Sequence, residues 1–158
     1  MAQNRLRRRA RPNGKPLHQV AALPFRRVPS GDLEVLLVSS RETRRFIIPK
    51  GWQPKKLSGW KAARREAREE AGIDGKIARK PFGHYLYWKR LTDHFALIRV
   101  AIYPLEVEKA INPWPESSER VSRWLSPADA ALLVDEPELI ALFQGLSGKK
   151  LASRMPSA

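Results

Sequence analysis

Gly51-Trp52-Gln53-Pro54-Lys55-Lys56-Leu57-Ser58-Gly59-Trp60-Lys61-Ala62-Ala63-Arg64-Arg65-Glu66-Ala67-Arg68-Glu69-Glu70-Ala71-Gly72-Ile73 is the stretch on which the reading of this chain turns. Its second half is rich in Ala, Arg and Glu, with Ser58 placed to cap a helix and Gly72 placed to end one. On a helix, residues three and four apart share a side, so Glu66, Glu69 and Glu70 should converge, with Arg65 and Glu69 at i, i+4 spacing. Carboxylates packed this closely repel unless a cation sits among them, which makes this face a candidate divalent-metal site. The plainer alternative is a solvated helix laced with ion pairs, and the Glu69-Glu70 pair alone would favour it. Trp60, Ala63, Ala67 and Ala71 recur on the other side, and their small side chains would let the helix approach a sheet closely.

The joint spacing goes further than a solvated helix requires. Gly51, Arg65, Glu66, Ala67, Glu69, Glu70, Gly72 and Ile73 match the pattern G-x5-E-x7-R-E-U-x-E-E-x-G-U, in which U is aliphatic or small. The chain therefore resembles the Nudix hydrolase superfamily. With Ile48-Pro49-Lys50-Gly51-Trp52 leading into it, the pattern looks most like the bacterial diphosphoinositol-polyphosphate phosphohydrolase-like branch. One position departs: Leu57 stands where the first Glu belongs, and removes any outer support that a carboxylate there would give a metal. The resemblance implies an α/β/α sandwich with a mixed β-sheet over residues 17–146 and a phosphoanhydride hydrolase that uses Mg²⁺ or Mn²⁺. It also implies catalytic roles for Arg65, Glu66, Glu69 and Glu70. The metal ligands would be those three glutamates and the Gly51 carbonyl, with Arg65 orienting a helix Glu by ion pairing.

Hard cations take oxygen ligands and share their shell between carboxylates, water and substrate phosphates. A bound metal neutralises phosphate oxygens and turns water into a nucleophile near neutral pH. For the general base, Glu66 and Glu70 in the helix and Glu116 and Glu119 outside it are the options. The last two could equally be occupied by ion pairs with Arg120 and Arg123. Lys50, Lys55, Lys56, Lys61, Arg64 and Arg65 fall within sixteen residues without an acid, which points to a highly anionic substrate. Diphosphoinositol polyphosphates, dinucleoside polyphosphates and nucleoside triphosphates all qualify. Substrate contacts are assigned to Lys50, Trp52, Lys55, Lys56 and Lys61, with Lys89 and Arg90 at a strand turn adding to the same rim. Tyr85, Tyr87, Trp88 and Trp114 either stack on a base or pack, and no histidine is given a metal role. Two other functions compete: a pyrophosphohydrolase acting on nucleoside triphosphates or RNA 5′ ends, and a Nudix-fold module that binds a polyphosphate without cleaving it.

At 158 residues the chain suits one domain with a proper core. No apolar run approaches the length of a membrane span, so no membrane partner is expected. With no cysteine, disulfides and thiolate metal sites are excluded, and the Arg-rich start lacks the apolar run of a secretory signal, so the cytoplasm is the default location. The net charge of +14 is concentrated at the ends. Arg5, Arg7, Arg8, Arg9, Arg11 and Lys15 lie in a basic tail over residues 1–16, and Lys149, Lys150 and Arg154 in another over residues 147–158, both expected to be disordered. About +5 is left for the domain between them. These tails could touch nucleic acid weakly, but solvated tails are the favoured reading. A small-molecule polyphosphate is the expected partner, and the family resemblance is compatible with a homodimer.

Apolar runs separated by turn residues predict strands over 17–25, 33–39 and 46–48, the first two joined across Pro29-Ser30-Gly31-Asp32. Residues 50–57 read as a loop before the helix. Long strands are expected over 77–89 and 94–105 and a short one over 121–125. Helices follow over 127–133, capped by Ser126, and over 136–146. This order is α/β with a mixed sheet between helices.

Overall fold

The computed structural model describes residues 15–41 and 43–157. The strand β1 (Leu17–Arg27) is apolar along most of its length and buries both faces, Ala21, Leu23 and Phe25 on one side and Val20 and Ala22 on the other. Period-two geometry makes that split, and a strand covered on both faces belongs in the middle of a sheet. Accordingly β1 runs parallel to β7 (Phe95–Ala110) from Leu17 opposite Ile98 to Phe25 opposite Glu106. Its other edge is divided. β2 (Leu33–Ser39) pairs with Phe25 to Arg27, and β4 (Lys50–Trp52) with Gln19 to Ala21. The outer edge of β7 is divided in the same way between β5 (Ile73–Ile77) and β6 (Gly83–Arg90). β3 (Phe46–Ile47) and β8 (Ser122–Leu125) both pair with β2. Every pairing except β1 with β7 is antiparallel, so the eight strands of the described residues form a mixed sheet.

Helices close both faces. α1 (Gly59–Glu66), continued by a π turn over Ala67–Ala71, covers Val20, Ala22, Leu36, Val38 and Leu105 with Ala62, Ala63, Ala67 and Ala71. The opposite face of the sheet carries α2 (Pro127–Leu133), α3 (Pro137–Gln144) and α4 (Gly148–Ala152), which contribute Ala130, Ala131, Leu139, Phe143 and Leu151 to a core with Leu23, Phe25, Leu37 and Ile98. The result is the expected α/β/α sandwich. Ser126 caps α2 by accepting a hydrogen bond from the Asp129 N–H at 3.2 Å. None of the described helices is long and apolar enough to cross a membrane.

Several expectations need correction. Residues 50–52 form a strand, not the start of a loop; its three residues are too few to show a period and become a strand only by pairing with β1. The single strand expected over 77–89 is two, β5 ending at Ile77 and β6 starting at Gly83, with Pro81 between them unable to donate a ladder hydrogen bond. Trp60 sits at the margin of the α1-side core, under the Arg79 guanidinium at 5.1 Å, and Ala62 takes the buried place. The basic tail expected from residue 1 lies outside the described residues up to residue 14. At the other end no tail begins at 147. The Ser147 hydroxyl accepts from the Lys150 N–H at 3.2 Å to start α4, and Leu151 is fully buried. Charge at Lys149, Lys150 and Arg154 masks in the sequence one anchoring apolar side chain. Leu151→Ala should therefore cost about 2–5 kcal/mol, read as a lower urea midpoint at unchanged slope. A free tail would show no shift.

Candidate active site

β4 and α1 meet at Gly51. Strand pairing sets Gly51 opposite Val20 on the face that α1 covers, and the Glu66 carboxylate lies so close that a Cβ at position 51 would overlap it. Only glycine permits that approach. Beside it, the Lys50 backbone N–H donates to the Glu70 carboxylate at 3.1 Å. Two carboxylates thus flank the Lys50-Gly51 backbone.

The helix widens as it reaches them. The Gly72 N–H is shared between the carbonyls of Ala67 and Arg68, the first of which closes the π turn. Such a turn takes more residues per revolution, so Glu70, four residues past Glu66, stays on its side while Glu69, three past, falls short. Glu69 is turned outward, its side chain 45% exposed, with Arg65 at 3.8 Å. The convergence of three helix carboxylates expected from α-helical spacing is therefore a convergence of two. Among the described residues no three acidic or histidine side chains stand close enough to hold an ion between them.

The pair nonetheless suits a cation. Burial, followed by the charges of Glu70 and Glu69, pushes the Glu66 carboxyl up to about 8. Burial also pushes Glu70 up, against the opposing pull of Arg120 and Lys50. Desolvated like charges against a glycine backbone are a set whose repulsion a hard cation relieves, with the Gly51 carbonyl as a further oxygen donor and water or phosphate completing the shell.

Facing these acids is a cationic wall. A cavity of about 330 Å³ is lined by Glu66, Glu70 and Glu116 on the acidic side and by Arg41, Lys50, Lys89 and Arg120 on the basic side. Arg120 is buried and donates to Glu70 at 3.2 Å, to Glu116 at 3.0 Å and to the Ser39 carbonyl at 2.9 Å. Arg41 pairs with Glu116 at 3.4 Å and with Glu119 at 3.2 Å. The Lys50 ammonium sits 4.7 Å from the centre of the Tyr87 ring, and burial together with nearby Lys89 lowers its pKa. Tyr87 in turn donates to Gln19 at 2.6 Å.

Of the residues picked from sequence, the fold brings Lys50, Gly51, Trp52, Glu66, Glu70, Lys89 and Glu116 to this cavity, while Arg90, one residue past Lys89 on the strand, faces the other way and does not line it. It does not bring Lys55, Lys56 or Lys61, which are exposed outside the lining; Lys61 lies over the Trp60 ring at 5.2 Å. Glu119 is exposed and held by Arg41. Arg64, counted with the basic run, is bound to Asp74 at 2.6 Å, where Arg68 joins it at 2.8 Å. Burial raises the Asp74 pKa, but these guanidinium contacts and the Gly75 N–H outweigh it and hold the carboxyl below its ordinary value. Gln19 and Arg41 escaped sequence reasoning, and Arg120 was seen only as an ion-pair partner. No local pattern marks them, because each reaches the cavity through strand pairing or a distant loop.

That loop is fixed at the end of the helix. Gly72 adopts φ of 63° and a Cβ there would run into the Trp114 indole. The Ile111 N–H donates to the Gly72 carbonyl at 2.7 Å and the Glu116 N–H to the Glu69 carbonyl at 3.2 Å, so the segment carrying Glu116 and Arg120 is laid across the helix terminus.

A model of the NUDIX domain family matches residues 17–144. The chain belongs to the Nudix family. Nudix hydrolase 13, mitochondrial, of Arabidopsis thaliana is 31% identical over 104 residues, covering 62% of this chain and 52% of the relative. The chain spans about half the length of the curated relatives it matches. Among solved structures, the C. elegans Ap4A hydrolase aligns with a TM-score of 0.58 at 19% identity, over 88% of this chain and 98% of that one. A NUDIX hydrolase from Nitrosomonas europaea aligns with a TM-score of 0.60 at 17% identity, over 89% and 92% of the two chains. These likenesses speak for a shared Nudix fold. At the position of the Nudix box's first Glu, Leu57 packs half-buried against the α1-side core, so an apolar contact stands where the box has an acid.

Two outcomes follow from the geometry. Gly72→Ala meets both an unfavourable backbone and the Trp114 ring, and should destabilise the fold by about 1–3 kcal/mol, visible as a lower melting temperature and a shifted tryptophan emission. Between pH 4.5, the ordinary value for Glu66, and about 8, its value in the fold, the folded chain holds a proton that the unfolded chain releases. Metal-free protein should therefore lose stability as pH rises through that window, and Glu66→Gln should flatten the dependence in thermal melts run in EDTA.

Proposed function

We propose that this chain hydrolyses a phosphoanhydride bond in a highly anionic small molecule, with a diphosphoinositol polyphosphate or a dinucleoside polyphosphate as the favoured substrate. The single observation that carries this is the cavity in which two desolvated carboxylates beside Gly51 face Arg41, Lys50, Lys89 and Arg120. The acidic wall suits a hard cation and the basic wall suits phosphate oxygens. Membership of the Nudix family supports the reaction type, and a structural neighbour named Ap4A hydrolase supports the dinucleoside polyphosphate class.

Mg²⁺ or Mn²⁺ would be held by Glu66, Glu70 and the Gly51 carbonyl, and Glu69, turned outward beside Arg65, would join them only by swinging its side chain inward. When bound, it supplies charge neutralisation and an acidified water. Arg65, beside Glu69 at 3.8 Å, orients that carboxylate. Lys50, Lys89 and Arg41 take the phosphates, and Trp52 shapes the entrance. Of the candidates for general base outside the helix, Glu116 lines the cavity, whereas Glu119 faces solvent. Without cysteine the chain suits a reducing compartment such as the cytoplasm.

A second reading, a polyphosphate-binding module without turnover, draws support from Leu57 and from the Arg120 guanidinium already occupying Glu70. Phosphate release from a panel of diphosphoinositols, diadenosine polyphosphates, nucleoside triphosphates and 5′-triphosphorylated RNA separates the two. The hydrolase reading expects metal-dependent turnover of at least one compound, with kcat/KM reduced about 100-fold or more in Glu66→Gln and Glu70→Gln. Binding across the panel with no turnover by the wild type would establish the module instead.

A further inference from the structure

The β6–β7 hairpin has two faces in different surroundings. Tyr85 and Tyr87 are buried on one, and Lys89 on the same side lines the catalytic cavity. On the other, Leu86 is 39%, Trp88 65% and Phe95 63% exposed. Strand register orders this second face. Val20, Ala101 and His84 make one row across β1, β7 and β6, and His18, Arg99 and Leu86 make the next. Leu97 with Trp88, and Phe95 with Arg90, complete it toward the hairpin tip. Helix α1 covers the inner end of this face, where Gly59 sits against the Tyr103 hydroxyl, and goes no further.

The basic side chains on these rows are Arg90 and Arg99, with His18 and His84 beside them, all exposed, and no row contains a carboxylate. Their proximity is felt: burial first, then the charges of Arg99 and His18, hold His84 below the ordinary histidine range. At the hairpin tip beyond the rows, Asp93 is paired with His94 at 2.7 Å.

We propose that this open sheet face binds single-stranded nucleic acid, bases stacking on Trp88 and Phe95 and phosphates meeting Arg90 and Arg99. Trp88 and Phe95 are diagonal neighbours on adjacent strands, about 7–8 Å apart by antiparallel geometry, close enough for consecutive nucleotides to reach both. An exposed aromatic pair among cations offers what a flexible polyanion with free base faces needs. Duplex bases are already stacked on one another, so single strands are preferred. Packing this face against a second copy would bring the Arg90 and Arg99 guanidinium groups of both copies together with no carboxylate on these rows to answer them, which disfavours self-association. Trp88, Phe95, Arg90 and Arg99 are not among the residues that line the catalytic cavity, so the proposal stands or falls independently of the hydrolase reading.

The test is fluorescence anisotropy of labelled ten-nucleotide single strands, oligo-U and oligo-dT, with the full chain across a salt series. The wild type should bind, and Trp88→Ala with Phe95→Ala should weaken binding about tenfold or more, while Trp88→Phe keeps most of it. Arg99→Ala should lower the salt slope by about 0.7. Melting temperatures, and phosphate release wherever the wild type shows it, should be unchanged in these variants. Absence of binding by the wild type overturns the proposal, as does unaltered affinity in the double aromatic variant, which would place the contact on other basic residues. A wild-type dimer in sedimentation that the double variant dissociates would assign the face to a second copy of the chain.

Discussion

The contact between the Gly51 backbone and the Glu66 carboxylate is the constraint around which this molecule is arranged. It requires a helix close to a sheet edge, and the chain supplies the means: Ala62, Ala63, Ala67 and Ala71 give α1 a face with almost no side-chain thickness. It also requires a strand without a Cβ at the point of approach, which Gly51 provides. The consequence is electrostatic. A carboxylate pressed against backbone and facing Glu70 loses much of its solvation, and Glu66 answers by holding its proton toward neutral pH. A carboxyl held that far from its ordinary value, at the lining of a cleft, is in the condition that active sites favour.

The remaining charges of the cleft are arranged in answer to this one. The Arg120 side chain is buried and joins Glu70, Glu116 and the Ser39 carbonyl, so one guanidinium links the helix, the loop after β7 and the end of β2. A cation with its side chain this deeply buried is tolerable when acceptors stand close to it, and here each of its three nitrogens donates to a carboxylate or a carbonyl. Trp114 seated on Gly72 holds the loop that carries it. The π turn belongs to the same arrangement: by slowing the helix's rotation it keeps Glu70 on the Glu66 side and sends Glu69 to the rim.

Alternation along β6 gives one short strand two separate duties. Odd-numbered residues bury Tyr85 and Tyr87 and bring Lys89 to the cleft, while even-numbered residues leave Leu86 and Trp88 facing outward beside Arg99. Because the period of a strand is two, neither set can be changed by register without exchanging both. That coupling places the two surfaces of the hairpin back to back.

The sequence by itself determined the layers and the chemistry of the helix. Strand β2 and helix α2 fall on the residues their patterns predict, Gly72 ends the helical segment, and Arg65, Glu66, Glu69 and Glu70 carry the box, since these depend on local periodicity, capping and spacing. Tertiary structure decided what local pattern does not encode. It made a strand of Lys50–Trp52 through pairing with β1, widened the helix at Ala67–Ala71, folded residues past 147 around Leu151, and left Lys55, Lys56 and Lys61 outside the cleft while drawing in Gln19, Arg41 and Arg120. The reason is range. Backbone periodicity and caps act over a few residues, whereas the neighbours of a buried charge are chosen by pairings between segments tens of residues apart.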